Sequence, residues 1–112
     1  MTKNVITKEE AAAILSRIRT LSSGPTLRYT PHAEQQMYER SVTYSEVEHV
    51  LRKTGQINLD PKRTRYDPAY KTMSYAVEGK AQDGQRQLRV ATALSQDRRT
   101  PNSEVVVITV VV

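Results

Sequence analysis

Residues 29–51 constrain the fold most, because their local signals agree on a helix, a sharp break and a second helix. Thr30 is placed to cap the first helix. Pro31 can occupy its first turn, because a backbone N–H at that position would have no acceptor within the helix. Thr43 and Glu46 have capping-box spacing at the start of the second helix. Apolar residues recur at helical intervals behind both starts, so each helix has one side that needs a core.

The patterns on either side of this stretch predict an α+β domain. Thr7 and Glu10 form another capping-box pair before an apolar stripe that reaches Leu21, and Gly55 is a natural residue to end the helix that begins at Thr43. Strands are predicted at residues 26–29, 56–59, 70–78, 86–94 and 104–112. We expect a single domain, 1–112, with helices on one face of a curved, mainly antiparallel sheet of about four strands.

The predicted sheet also has two connections between strands and one strand in which apolar and polar side chains alternate. Asp83 and Gly84 form a strong hairpin signal, and residues 96–103 are a polar connection. Within residues 86–94, every second residue from Leu88 on is apolar or a threonine, which directs Leu88, Val90, Thr92 and Leu94 to one side. Arg89 should therefore point to the opposite face, which we expect to stay open for a ligand.

The segment HAEQQMYERSVTYSEVEHVL, which starts at His32, resembles the motif H-A-x-x-R-M-x-x-R-G-[IV]-[ST]-x-x-x-[IV] of a widespread family of small bacterial proteins. The matching positions are His32, Ala33, Met37, Arg40, Val42, Thr43 and Val47. Gln36 stands where a basic residue is usual, and Ser41 where glycine is usual. That family is similar to the RelE- and BrnT-like toxins, so the resemblance implies a RelE-like fold and a toxin that cleaves RNA as a metal-independent endoribonuclease.

Charge and residue usage limit the partners and the chemistry. The chain has 17 Lys and Arg against 12 Asp and Glu, a net charge of +5 that favours nucleic acid or an acidic protein as partner. It has no Cys and two separated His, so neither a disulfide nor a metal cofactor is expected. Without a signal-peptide core or an apolar run of about 18 residues, we expect a cytoplasmic protein that does not enter a membrane.

Three residues are the candidates for catalysis. RNA cleavage without metal needs a base for the 2′-hydroxyl, an acid for the leaving oxygen and cations on the phosphate. His32 lies at a predicted helix N-terminus, where the dipole disfavours the imidazolium and a neutral ring can accept a proton. Arg40 could bind the phosphate, and Tyr75 is the third candidate catalytic residue. The alternatives are a packed His32, an Arg40 that binds carbonyls of its own helix, and a Tyr75 in the core.

Four further residues are candidates for RNA binding. Arg65, Lys71 and Arg89 lie on or beside predicted strands, where they could clamp phosphates on the open sheet face. Tyr66 offers a ring on which an unpaired base can stack. Each of the four could equally be an ordinary exposed residue.

Three functions fit these observations. The first is a toxin of a toxin–antitoxin system, whose partners would be RNA, including ribosome-bound mRNA, and a cognate antitoxin. The second is a non-catalytic RNA- or protein-binding module of the same fold. The third is a structural protein that interacts through residues 104–112, an almost wholly β-branched strand. We expect that strand to pair inside the sheet, and any free edge to be closed by an antitoxin segment or by a second copy in a homodimer.

Overall fold

The computed structural model of the chain describes residues 6–24, 26–81, 86–95 and 104–112. In these ranges three α-helices pack on one face of an open, mixed sheet. The helices are α1 Lys8–Leu21, α2 Pro31–Arg40 and α3 Tyr44–His49, and α3 continues as a π-helical turn, Val50–Thr54. The strands are β1 Leu27–Tyr29, β2 Gln56–Ile57, β3 Arg65–Asp67, β4 Thr72–Lys80, β5 Gln87–Ser95 and β6 Glu104–Val111. The expected α+β class is confirmed.

The predicted helix starts are confirmed by their caps. Thr7 and Thr43 each begin a complete capping box, in which the threonine side chain accepts a backbone N–H and the glutamate three residues later accepts the threonine's own N–H. Thr30 Oγ1 accepts from the N–H of Ala33 at 3.0 Å, with Pro31 in the first turn of α2. Short-range side-chain geometry therefore sets where each helix begins.

Gly55 ends the third helix for a different reason from the one we expected. A left-handed cap would need a positive φ, but Gly55 has φ −70°. Its N–H donates to the carbonyl of Val50 at 2.7 Å, which closes the π-helical turn. A Cβ at this position would collide with the Val77 side chain and lie 2.5 Å from the Val50 carbonyl oxygen. Glycine is needed here because the helix end lies directly against β4.

The sheet has more strands than the sequence predicts, and one pair is parallel. Its order is β1-β6-β5-β4-β2, and β3 pairs with β4 as well, so six strands replace the expected four or so. Strands β1 and β6 are parallel, with Leu27 opposite Val105. Strand β2 lies within the predicted strand 56–59, whereas β3 was not expected, because its three residues are too few to show alternation in the sequence. The expected Asp83-Gly84 hairpin and the connection 96–103 lie outside the described residues.

The core lies between the helices and one face of the sheet. The predicted side of β5 is confirmed, since Leu88, Val90, Thr92 and Leu94 are all buried. They meet Ile18 of α1, Ala33 and Met37 of α2, and Val47, Val50 and Leu51 of the third helix. None of the described helices is both long and apolar enough to cross a membrane. The helices thus cover one sheet face and leave the other for a site.

The C-terminal strand pairs inside the sheet, as expected. Strand β6 lies between β5 and β1, and its register with β5 shifts once, at Ala91 and Thr92. Beyond β1, its remaining edge is closed within the chain: Thr30 Oγ1 donates to the carbonyl of Ile108, and Gln36 accepts the N–H of Val110. These contacts occupy backbone groups that we expected a second copy or an antitoxin segment to pair with.

Candidate nucleic-acid interface

A cavity of about 480 Å³ lies on the helix-free face of the sheet. Its lining includes small side chains of β4 and β5, Ser74, Ala76 and Ala91, beside Ile108, Thr109 and Val111 of β6. Arg89 precedes Ala91 by two residues on β5, so strand alternation brings both to this face while their neighbours enter the core. Small residues on the floor leave the space that the cavity occupies.

Four cationic residues line this space, which we call the cationic cavity: Lys62, Arg63, Arg65 and Arg89. Asp67 is the one carboxylate among the described lining residues, and its Oδ1 accepts the N–H of Ala69 within a turn. None of the four cations forms a salt bridge with a described carboxylate. The charges therefore remain available to an anion, and a concave wall strengthens their attraction.

The loop that carries three of these cations is fixed to β4 by one buried side chain. Thr64 is 1% exposed. Its hydroxyl donates to the carbonyl of Asn58 at 2.6 Å and accepts the N–H of Ala76 at 3.0 Å. The carbonyl of Asp60 accepts the N–H groups of Arg63 and Thr64 at 2.8 and 2.9 Å. Arg63 and Arg65 thus extend from an anchored backbone, which lowers the entropy lost when they bind.

The structure brings three of the predicted RNA-binding residues together. Arg65, Tyr66 and Arg89 line the cationic cavity. In the β3–β4 pair, Arg65 lies opposite Ser74 and Tyr66 lies opposite Met73, and Tyr66 is 45% exposed. Lys71, in a left-handed conformation with φ 55°, lies apart from these residues.

A second cavity of about 340 Å³ contains Lys71, together with Arg28 and Tyr70. Its floor includes Thr72 and Ala93, which have the same alternation as the floor residues of the cationic cavity. Both cavities therefore open on the same sheet face. Arg28 forms a salt bridge with Glu104 at 3.1 Å.

The three predicted catalytic residues lie elsewhere. His32 and Arg40 are exposed on α2, and neither is among the described residues that line the two cavities. Tyr75 is partly buried on the helix-facing side of β4, where burial raises its pKa; nearby Glu10 adds to this effect and Arg17 opposes it. The structure does not bring the predicted catalytic and RNA-binding sets into one centre.

Arg86, which the sequence analysis did not single out, has the structural role considered for Arg40. Its guanidinium donates to the carbonyl of Ser41 at 3.0 Å and forms a salt bridge with Glu46 at 3.4 Å. It therefore supports the C-terminus of α2. The side chain of Arg40 has no hydrogen-bond or salt-bridge partner among the described residues.

Other cavity residues were also missing from the predicted site. Lys62 and Arg63 belong to the run Lys62-Arg63-Thr64-Arg65, whose charge density was a usable signal. Arg28 had no such signal, because only the parallel pairing of β1 brings it to this face. Within the described parts of the chain, no three His, Cys, Asp or Glu side chains are grouped as a metal site requires.

Comparisons with known proteins place the chain in a family without assigning it an activity. Neither the curated proteins nor the solved structures contain a match to it. A family model described as Domain of unknown function (DUF4258) matches residues 29–112, which include α2, α3 and all six strands except the first two residues of β1. Since this match spans well over half of the sequence, the chain belongs to the DUF4258 family.

Proposed function

We propose that this protein is an RNA-binding module that uses the helix-free face of its sheet. The observation that carries the proposal is the convergence of Lys62, Arg63, Arg65 and Arg89 on one cavity without carboxylate partners among the described residues. Phosphate groups are the natural counter-charge for such a set, and arginine can bind them through two parallel hydrogen bonds. The second cavity extends the positive surface through Lys71.

The distribution of charge favours RNA over an acidic protein as the partner. An acidic protein would meet a positively charged rim on an otherwise flat surface, whereas these cations surround a concave floor of small side chains. An extended strand of nucleic acid can place successive phosphates inside such a concave surface. Exposed tyrosines at the border, such as Tyr70, offer ring faces on which unpaired bases can stack.

The test is the salt dependence of RNA binding by a triple variant, Arg65→Ala, Lys71→Ala and Arg89→Ala. Each lost phosphate contact should make the slope of log affinity against log salt shallower by about 0.7 to 1. Arg17→Ala is the matched control, because Arg17 is an exposed cation on α1, in the helix layer. Unchanged RNA affinity of the triple variant at low salt would remove the basic face as the binding surface.

A second candidate function is a RelE-like toxin, active in the cytoplasm as an endoribonuclease and held by a cognate antitoxin. Two exposed residues of the motif support it: His32 and Arg40 have no side-chain partners among the described residues. They lie on one side of α2, eight positions apart, which corresponds to about 12 Å along the helix axis. That distance suits a histidine at the scissile bond and an arginine on a phosphate two positions away along the RNA chain.

The toxin function has its own test, induced expression combined with sequencing of RNA 5′ ends. Growth arrest with new 5′ ends in the wild type, both lost in His32→Ala and Arg40→Ala, is the expected result. Purified variants should keep the melting temperature of the wild type, because neither side chain supports the fold through a described contact. If expression leaves growth and RNA ends unchanged, the RNA-binding module stands without the catalytic activity.

A further inference from the structure

We infer that the cationic cavity is an end-recognition site, which binds the terminal phosphate of a single RNA strand whose chain then runs past Lys71. This inference rests on the proposed RNA-binding function and adds the form of the ligand. It is carried by the order of charges along one face of the sheet.

The two cavities are contiguous along β4 and β5. On β4, Thr72 belongs to the second cavity and Ser74 to the cationic cavity; on β5, Ala93 and Ala91 divide in the same way. Two residues along a strand correspond to about 7 Å, close to the distance between neighbouring phosphates in an extended strand. Ser74 and Thr72 on β4 and Ala91 and Ala93 on β5 are small, so no large side chain of these positions separates the two cavities, and we call the two together the trough.

The trough is positively charged over its length and ends at a carboxylate. Glu78 is the next residue of β4 on this face after Ala76, and it lies opposite Arg89 in the sheet. Its Oε2 accepts a hydrogen bond from Asn58 Nδ2 at 2.9 Å, and it forms no salt bridge with a described cation. Glu78 is therefore level with the end of the cationic cavity that Arg89 lines, and a phosphate chain that continued past Arg89 would meet its negative charge, so the chain should stop there.

The charge inside the cationic cavity fits a terminal phosphate better than an internal one. Four cations and Asp67 give the lining a net charge of +3 (+4 − 1). An internal phosphodiester carries one negative charge, whereas a terminal phosphomonoester carries about 1.5 to 2 at neutral pH and offers more acceptor oxygens. In the second cavity Arg28 is already paired with Glu104, so Lys71 is the one unpaired cation among its described lining residues, which suits a phosphodiester.

The experiment is calorimetric titration of the purified protein with unlabelled oligouridines of about eight nucleotides. Four forms are compared: a 5′-phosphate, a 3′-phosphate, no terminal phosphate, and a closed circle. One added charge-assisted contact corresponds to about tenfold in affinity. We expect one of the two phosphorylated forms to bind about tenfold more tightly than the unphosphorylated form, and the circle to bind no better than the latter.

Two variants make the test specific. Glu78→Gln keeps an oxygen for Asn58 but removes the charge at the end of the trough, so it should reduce the preference over the circle. Glu39→Gln, an exposed change on α2, should leave that preference intact. Equal affinity for all four forms would overturn end recognition while leaving RNA binding in place. Failure of every form to bind would overturn both proposals.

Discussion

The side-chain oxygen Oε1 of Gln36 accepts a hydrogen bond from the backbone N–H of Val110 at 2.9 Å. Gln36 lies on α2 and Val110 on β6, so this bond ties a helix to the edge of a strand that β1 does not cover. The resembled motif has a basic residue at this position. Here the position is used to close the sheet, because an arginine side chain has donors only and cannot accept an N–H.

Removing this acceptor should destabilise the fold. We expect Gln36→Ala and Gln36→Arg each to lower the free energy of unfolding by about 1–3 kcal/mol, because the N–H of the buried Val110 would lose its partner. Urea denaturation measures the change. Gln35→Ala is the control: its side chain is exposed and bonds only to Glu39, so the loss should stay below about 0.5 kcal/mol. Equal losses at both positions would contradict a role in closing the edge.

Replacing Ser41 with glycine, the residue that the motif has at this position, should stabilise the fold. It follows α2 in a left-handed conformation with φ 54°, and the N–H of Val42 returns to the carbonyl of Met37 at 2.8 Å. A side chain is strained in this conformation and glycine is not. Ser41→Gly should therefore raise the free energy of unfolding by about 0.5–1 kcal/mol.

Ser16 is the control for this measurement, because glycine should lower the free energy of unfolding at that position. Ser16 is exposed inside α1, where glycine is a poorer helix former than serine, so Ser16→Gly should lower stability by about 0.5 kcal/mol. The two variants can be compared by thermal or urea unfolding. Destabilisation by Ser41→Gly would show that the left-handed position carries no strain in this protein.

The parts of the fold that depend on near neighbours could be predicted from the sequence. The threonine caps, the break after Arg40 and the buried side of β5 each follow from residues within a few positions of one another. The parallel pairing of β1 with β6 could not be predicted, because its partners are nearly eighty positions apart and neither segment encodes the other. Strand β3 was hidden for a similar reason, since its three residues lie in a loop that reads as charged and polar.

The candidate site also has residues whose position follows from near neighbours in the sequence and residues whose position depends on distant strand pairing. Arg89 was placed correctly on the open face because it alternates with Leu88 and Val90, and the neighbouring Arg65 reaches the same cavity only through the pairing of β3 with β4. The position of Tyr75 was available from the sequence, since it lies two residues before the buried Val77 on the same side of β4 and therefore faces the helices.

The buried hydroxyl of Thr64 should matter more for stability than its methyl group. Thr64→Val keeps the shape but leaves the carbonyl of Asn58 and the N–H of Ala76 without their partner, which should cost about 2–4 kcal/mol. Thr64→Ser keeps the hydroxyl and should cost about 1 kcal/mol. Hydrogen exchange at Ala76 should accelerate in the valine variant alone. A valine variant as stable as the serine variant would show that the hydroxyl is not what anchors the loop.

Tyr29 should govern part of the response of the protein to alkaline pH. Its ring packs edge-on against Tyr44, with centroids 4.8 Å apart, and its hydroxyl is buried without a hydrogen-bond partner among the described residues. Burial raises the pKa of Tyr29 well above its ordinary value near 10, the negative charges of the Glu48 carboxylate and of the Tyr44 phenolate add to the rise, and Arg52 opposes it. The folded protein therefore holds this proton more tightly than the unfolded chain does.

The sign of the pH effect follows from that difference. Below about pH 10 both states keep the proton and the stabilisation is complete; as pH rises above 10 the unfolded chain releases it first, so folding stability falls. Tyr29→Phe has no proton to release and no unpaired buried hydroxyl, so it should gain about 1 kcal/mol at pH 7 and unfold at a higher pH in an alkaline titration followed by circular dichroism. Tyr38→Phe, at a ring 85% exposed, should follow the wild type. If Tyr29→Phe unfolds at the same alkaline pH as Tyr38→Phe, the hydroxyl of Tyr29 is not held protonated by the fold.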